Sequence, residues 1–116
     1  MDQRKDDIAV GKVQIITDST AYFSKEYADR NHIRIVPLSV TFSGTTNDEG
    51  FPGEFEDFYR RLETSKDFPT TSQPSIAAFA SAYEEILAGG NEIVTIVISE
   101  KLSGTYNSAS AAAAMT

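Results

Sequence analysis

The sequence predicts an α/β fold, with a mostly parallel β-sheet flanked by helices. Three observations point there. Segments of strand and helix character alternate along the chain in the order β-α-β-loop-α-α-β-α, a pattern that implies right-handed crossovers between parallel strands. The stretch EIVTIVIS, residues 92–99, is almost continuously apolar, as strands buried on both faces of a parallel sheet are. Two segments, 53–64 and 75–87, carry apolar residues three and four apart, the stripe by which a helix docks on such a sheet.

The elements follow in order. Residues 1–11 are mostly polar and read as a flexible N-terminal segment ahead of a domain that runs from 12 to 116. Lys12 to Thr17 is rich in β-branched residues and reads as a strand, stopped by Asp18-Ser19-Thr20. Ser24 caps a short helix from Lys25 to Asn31. IRIVPLSVTF, residues 33–42, alternates like a strand, but Pro37 has no N–H to donate, so it marks an edge, a bulge or a break between two short strands. Residues 43–53 read as a turn-rich acidic loop. The helix over 53–64 presents Phe55, Phe58, Tyr59 and Leu62 on one face, with Glu54, Glu56, Asp57, Arg60 and Arg61 on a solvated one. Residues 67–74 form a loop. The helix over 75–87 presents Ile76, Phe79, Ala80, Tyr83, Ile86 and Leu87, and Gly89-Gly90 closes it as a left-handed cap. After the 92–99 strand, residues 99–104 form a loop and 105–115 an Ala-rich helix. The sequence ends within SASAAAAMT without a capping residue or a cationic last turn, and this reads as a domain incomplete at its C-terminal end.

Composition narrows the function. At 116 residues and 41% hydrophobic, the chain has the material for one real core. A net charge of −7 argues against nucleic acid or an anionic membrane surface as the main partner. Cysteine is absent, so thiol chemistry and disulfides are excluded, which fits a reducing cytoplasm. The longest apolar run, 93–98, falls far short of the ~20 residues that span a bilayer. With one histidine, His32, and no cysteine, neither a metal site nor a Ser-His-Asp triad is expected. No GxxxxGK[ST], GxGxxG or GxSxG motif occurs. No catalytic residue and no cofactor are assigned.

In open α/β sheets ligands gather beyond the carboxyl ends of the strands. Three loops are expected at that rim, Asp18-Ser19-Thr20, the Thr70-Thr71-Ser72-Gln73 stretch, and Ser99 to Thr105 with Ser103-Gly104 inside it. PTTSQPS, residues 69–75, packs four hydroxyls and an amide between two prolines without a charge. The structural reading is that these residues cap helices and form turns, Asp18 making an Asx turn. The functional reading is an anion site built from hydroxyls, helix N-terminal amides and the backbone at Gly104, where a ligand could approach closely.

Three segments, TDST (17–20), PTTSQPS (69–75) and SEKLSGTYNSA (99–109), with VPLSV (36–40), together resemble the N-terminal domain of the DegV family of fatty-acid-binding proteins. The resemblance runs from Lys12 to the last residue. It implies a two-domain protein longer than this sequence, whose C-terminal domain closes over the ligand. It further implies one bound long-chain fatty acid, with its tail buried and its carboxylate held by Thr71, with Ser72 beside it, and by Ser103 with the Gly104 backbone. Asp18, Ser19, Thr70, Gln73 and Thr105 are expected to organise those loops. By the same resemblance, the protein is a non-enzymatic bacterial lipid carrier. It presents the carboxylate to a fatty acid kinase of phospholipid metabolism, which carries the catalysis. Two alternatives stand beside this, a phosphotransferase or hydrolase domain holding a small phosphorylated substrate, and a regulatory fragment without a ligand. Self-association of the chain is a further expectation, since a domain cut short leaves apolar surface bare.

Overall fold

The structure is a computed structural model and describes residues 12–116; the segment expected to be flexible, 1–11, lies outside the described residues. The chain builds β1 (Val13–Asp18), a single 3-10 turn (Ser19–Ala21), α1 (Lys25–Arg30), β2 (Ile33–Val36), β3 (Ser39–Phe42), β4 (Thr45–Asp48), α2 (Glu56–Thr64), β5 (Thr70–Ser72), α3 (Ile76–Ala88), β6 (Glu92–Ile96) and α4 (Thr105–Met115).

Two sheets result. The larger is parallel, in the order β2-β1-β6, with Ile16 opposite Arg34 on one side and Thr95 on the other. The second is antiparallel, in the order β4-β3-β5. Pro37 separates them: the apolar run 33–42 gives β2 to one sheet and β3 to the other, the break that a residue without an N–H favours.

The antiparallel sheet departs from expectation, because 43–53 and 67–74 read as loops. β4 is TTND, exposed throughout, and β5 is TTS, exposed throughout, so neither carries the apolar alternation that marks a strand. The sign of β4 lies in its turn. Ser43 and Gly44 both have positive φ, 52° and 79°, as a two-residue type I′ hairpin requires.

The core lies between the parallel sheet and the helices α3 and α4. Ile16 and Val36 meet Phe79, Ala82, Tyr83 and Ile86 of α3, while Ala109 and Ala112 of α4 close the layer, with Ile93 and Val97 packed against it. Tyr83 joins helix to sheet through a 2.9 Å hydroxyl pair with Thr95. Small alanines on α4 let it lie close to α3. The helix caps form where the sequence places them. Ser24 Oγ accepts from Tyr27 N–H, Ser75 Oγ accepts from Ala78 N–H, and Gly90, at φ 80°, leaves α3 through the left-handed region.

Within the described residues, 92–99 is not buried on both faces as the sequence led one to expect. β6 is an edge strand, and its residues alternate between half-buried and exposed. Among the described residues, α3 and α4 cover one face of the sheet. On the other, Val13, Ile15, Val94 and Ile96 are each 40–58% exposed.

Candidate functional site

The rim at the carboxyl end of β1 is tied together by two side chains. Asp18 is fully buried, and its Oδ1 accepts the Thr20 N–H at 2.7 Å and the Thr20 hydroxyl, forming an Asx turn. Its Oδ2 accepts the Ile98 N–H at 2.8 Å, which pins the segment after β6 to the end of β1. Ser19 Oγ accepts the Leu38 N–H at 3.0 Å and donates to Glu49, linking the parallel sheet to the start and end of the β3-β4 hairpin. Both residues hold loops in place: Asp18 accepts three internal bonds, and the one proton of the Ser19 hydroxyl goes to Glu49, so neither donates to an anion without breaking these bonds.

The TTS stretch is β5. Thr71 sits opposite Val40 of β3, and Val40 in turn sits opposite Asn47 of β4. Cross-strand partners share a face, so Thr71 lies on the face that carries Val40 and Phe42. Thr70 and Ser72 belong to the other face, opposite Thr41 and Ser39. The expectation that Ser72 stands beside Thr71 as a second holder is therefore corrected: strand alternation turns the two hydroxyls to opposite sides.

Helix α2 lies across the Thr71 face. Phe58 stacks edge-on against Phe42 with centroids 5.5 Å apart, and the Arg61 guanidinium lies 5.4 Å from the Phe42 ring centroid. Between helix and sheet runs a groove of about 480 Å³, lined by Val40, Phe42, Phe55, Phe58, Tyr59 and Thr71, and also by Arg61 and the carboxylates of Asp48, Glu49, Glu54 and Asp57. Arg61 was expected on a solvated face and instead forms part of this lining. Arg60 pairs with Glu56 in the exposed manner expected. Glu54 precedes the helix and caps the preceding turn, accepting the Phe51 N–H at 2.8 Å. The groove was not anticipated, because it needs the β3-β4-β5 sheet as its floor. The signal that could have found it is the Phe55, Phe58, Tyr59 stripe, which had no strand assigned to cover.

The third loop leads into α4. Ser103 Oγ pairs with Thr105 Oγ1 at 2.9 Å and accepts the Thr105 N–H at 3.3 Å, while Thr105 itself is fully buried. Thr105 thus ties its own turn to Ser103. At Gly104 the close approach comes from within the protein. A Cβ there would stand 2.0 Å from Gln73 Oε1 and 2.8 Å from Gln73 Nε2. Gln73 Nε2 also donates to Ser108 Oγ at 3.4 Å. The structure therefore brings the TTSQ and SGT segments together through Gln73, whereas Thr71 and Ser103 share no hydrogen bond with each other.

A family model described as "Uncharacterised protein, DegV family" matches residues 12–116. The chain belongs to the DegV family. Among curated relatives, this DegV chain is 45% identical over 101 residues to DegV domain-containing protein SA1258 of Staphylococcus aureus and 36% identical over 103 residues to Protein DegV of Bacillus subtilis. It covers 36% and 37% of their lengths, so it spans a little over a third of the relatives it matches, while 87% and 89% of its own residues are aligned. Among solved structures, it superposes on Bacillus subtilis DegV, described as a fatty acid binding protein, with a TM-score of 0.83 at 36% identity, covering 90% of this chain and 37% of that one. A stearic acid-binding protein from Eubacterium ventriosum gives a TM-score of 0.81 at 35% identity, covering 89% and 36%. No helix among the described residues of this DegV chain is long and apolar enough to cross a membrane.

Proposed function

We propose that this chain is the part of a DegV protein that grips the head of a long-chain fatty acid, with Thr71 and Ser103 donating to the carboxylate. The observation that carries this reading is the place of Thr71: a hydroxyl lining the groove that Val40, Phe42, Phe55 and Phe58 share, on a strand joined through Gln73 to the turn that holds Ser103. The fatty acids bound by the Bacillus subtilis and Eubacterium ventriosum proteins support the same ligand class.

The energetics divide the work. Burial is worth about 0.8 kcal/mol per methylene, so a tail of about sixteen carbons supplies on the order of 10 kcal/mol before costs. The head must not forfeit that gain, and an unpaired carboxylate out of water would do so. Hydroxyls and backbone N–H groups replace the lost water without an ion pair. They leave the carboxylate oxygens free of a cationic clamp, which suits hand-over of the acid to a cytoplasmic kinase that would phosphorylate it in trans, the protein itself doing no chemistry.

Native mass spectrometry of the gently purified full-length protein is expected to show a co-purified acyl chain; a sugar phosphate or nucleotide in its place would overturn the reading. Thr71→Ala and Ser103→Ala are each expected to weaken stearic acid binding by about tenfold or more, since a hydrogen bond to a charged group is worth about 1.5–3 kcal/mol. The melting temperature should hardly move for Thr71→Ala, because that side chain is exposed. Unchanged binding in both variants would refute the site.

A further inference from the structure

The strongest unexplained contact is the one between Gln73 and Gly104. Gln73 follows β5 and is itself exposed, so it adds little to the core. Its carboxamide nevertheless fills the space that any side chain at position 104 would need, 2.0 Å from where a Cβ would stand. The same amide reaches the buried Ser108 one turn into α4, at 3.4 Å. Gly104 has φ −78°, so the residue needs no left-handed freedom there. Space, not backbone conformation, is what demands glycine.

Resting on the fatty-acid reading above, we propose that Gln73 is a positioning residue: its carboxamide, seated on Gly104, locks the TTS strand to the SGT turn so that the Thr71 and Ser103 hydroxyls address one carboxylate. The two hydroxyls come from different elements, one an edge strand of the antiparallel sheet and the other the turn into α4. Ser103 is held by its contacts with Thr105 and Thr71 by the pairing of its strand with β3, and Thr71 and Ser103 have no bond to one another. A carboxylate needs both donors within hydrogen-bond range at once, so the spacing between the two segments decides affinity. Gln73 is the side chain that sets this spacing, and Gly104 is the surface it seats on.

The test uses the full-length protein with stearic acid as the probe, read by binding and by thermal melting. Gln73→Ala is expected to weaken binding about tenfold, the equivalent of one well-placed hydrogen bond to the acid, with little change in melting temperature. In a Thr71→Ala background, Gln73→Ala is expected to add almost nothing, because one donor alone needs no alignment; a merely structural residue would cost the same in both backgrounds. Gly104→Ala is expected to lower both binding and melting temperature, and Gln73→Ala/Gly104→Ala to regain most of the melting temperature, since the clash is gone, without regaining affinity. Full stearic acid binding by Gln73→Ala, in a protein that Thr71→Ala weakens, overturns the positioning role. An equal melting cost for Gly104→Ala with and without the Gln73 side chain overturns the contact. Failure of the unaltered protein to bind stearic acid sinks the proposed function and the positioning role with it, and the melting comparison still decides the contact.

Discussion

Asp18 shows how a residue type alone leaves its task open. A carboxylate after a strand fits a catalytic acid, an anion-site neighbour or an Asx turn, and it is the three partners that decide. Full burial with bonds to Thr20 N–H, the Thr20 hydroxyl and Ile98 N–H makes Asp18 the bolt between β1 and the segment after β6. Asp18→Ala strands those donors, and bonds to a charged group are worth about 1.5–3 kcal/mol each, so the variant is expected to lose roughly 3 kcal/mol or more of stability in urea unfolding. Lys25 marks the other extreme. Its amine is held above the ordinary value of 10.5, first by the hydrogen bond to Asp29 and then by the charge of that carboxylate. A raised amine favours the folded state at pH below 10.5, and the contribution fades as pH climbs through the folded value. The pair is solvent-exposed, so Asp29→Asn is expected to leave the melting temperature at neutral pH and moderate salt essentially in place. At this scale the sequence singled out Thr71, Ser103 and Asp18 as candidates without showing which neighbours share their faces. Ser72 turns away because side chains alternate along a strand, and that could not be applied while β5 read as a loop.

Elements with strong periodicity or caps were legible: α1, α3 and α4 lie where Ser24, the Ile76–Leu87 stripe and the Ala-rich run place them, and the break at Pro37 separates β2 from β3. What escaped was β4 and β5, four and three residues long, polar and exposed on both faces. Such strands are held by pairing with β3 rather than by burial, and pairing is a non-local fact. Their loss hid the groove, whose floor they help form. Ser75→Ala removes the side-chain cap of α3 and is expected to cost about 1 kcal/mol, read as a shift in the unfolding midpoint. Phe79→Ala, on the same helix, empties a fully buried position against Ile16 and Tyr83 and is expected to cost about 3–5 kcal/mol.

At the scale of the whole molecule, the parallel sheet is covered unevenly: α3 and α4 lie on one face, and the other, although Thr17 is buried there, is open toward β6. Val13, Ile15, Val94 and Ile96 stand on that second face, although the sequence of β6 reads as a strand covered twice over. The two statements agree if further chain lies on that side in the longer DegV relatives, of which this chain spans little more than a third. A protein ending at Thr116 is therefore expected to associate with itself in sedimentation velocity runs as its concentration rises, and Val94→Lys with Ile96→Lys to reduce that association; a monomer at all concentrations would count against it.

The position of Pro37 has one more consequence. With valine in its place, residues 33–42 would read IRIVVLSVTF, ten residues of unbroken strand-forming sequence with a single charge. Such a ribbon could stay straight instead of passing from one sheet to the other, and its backbone would be a template for neighbouring molecules to add to. The ring at 37 thus removes the unbroken strand that such growth would need.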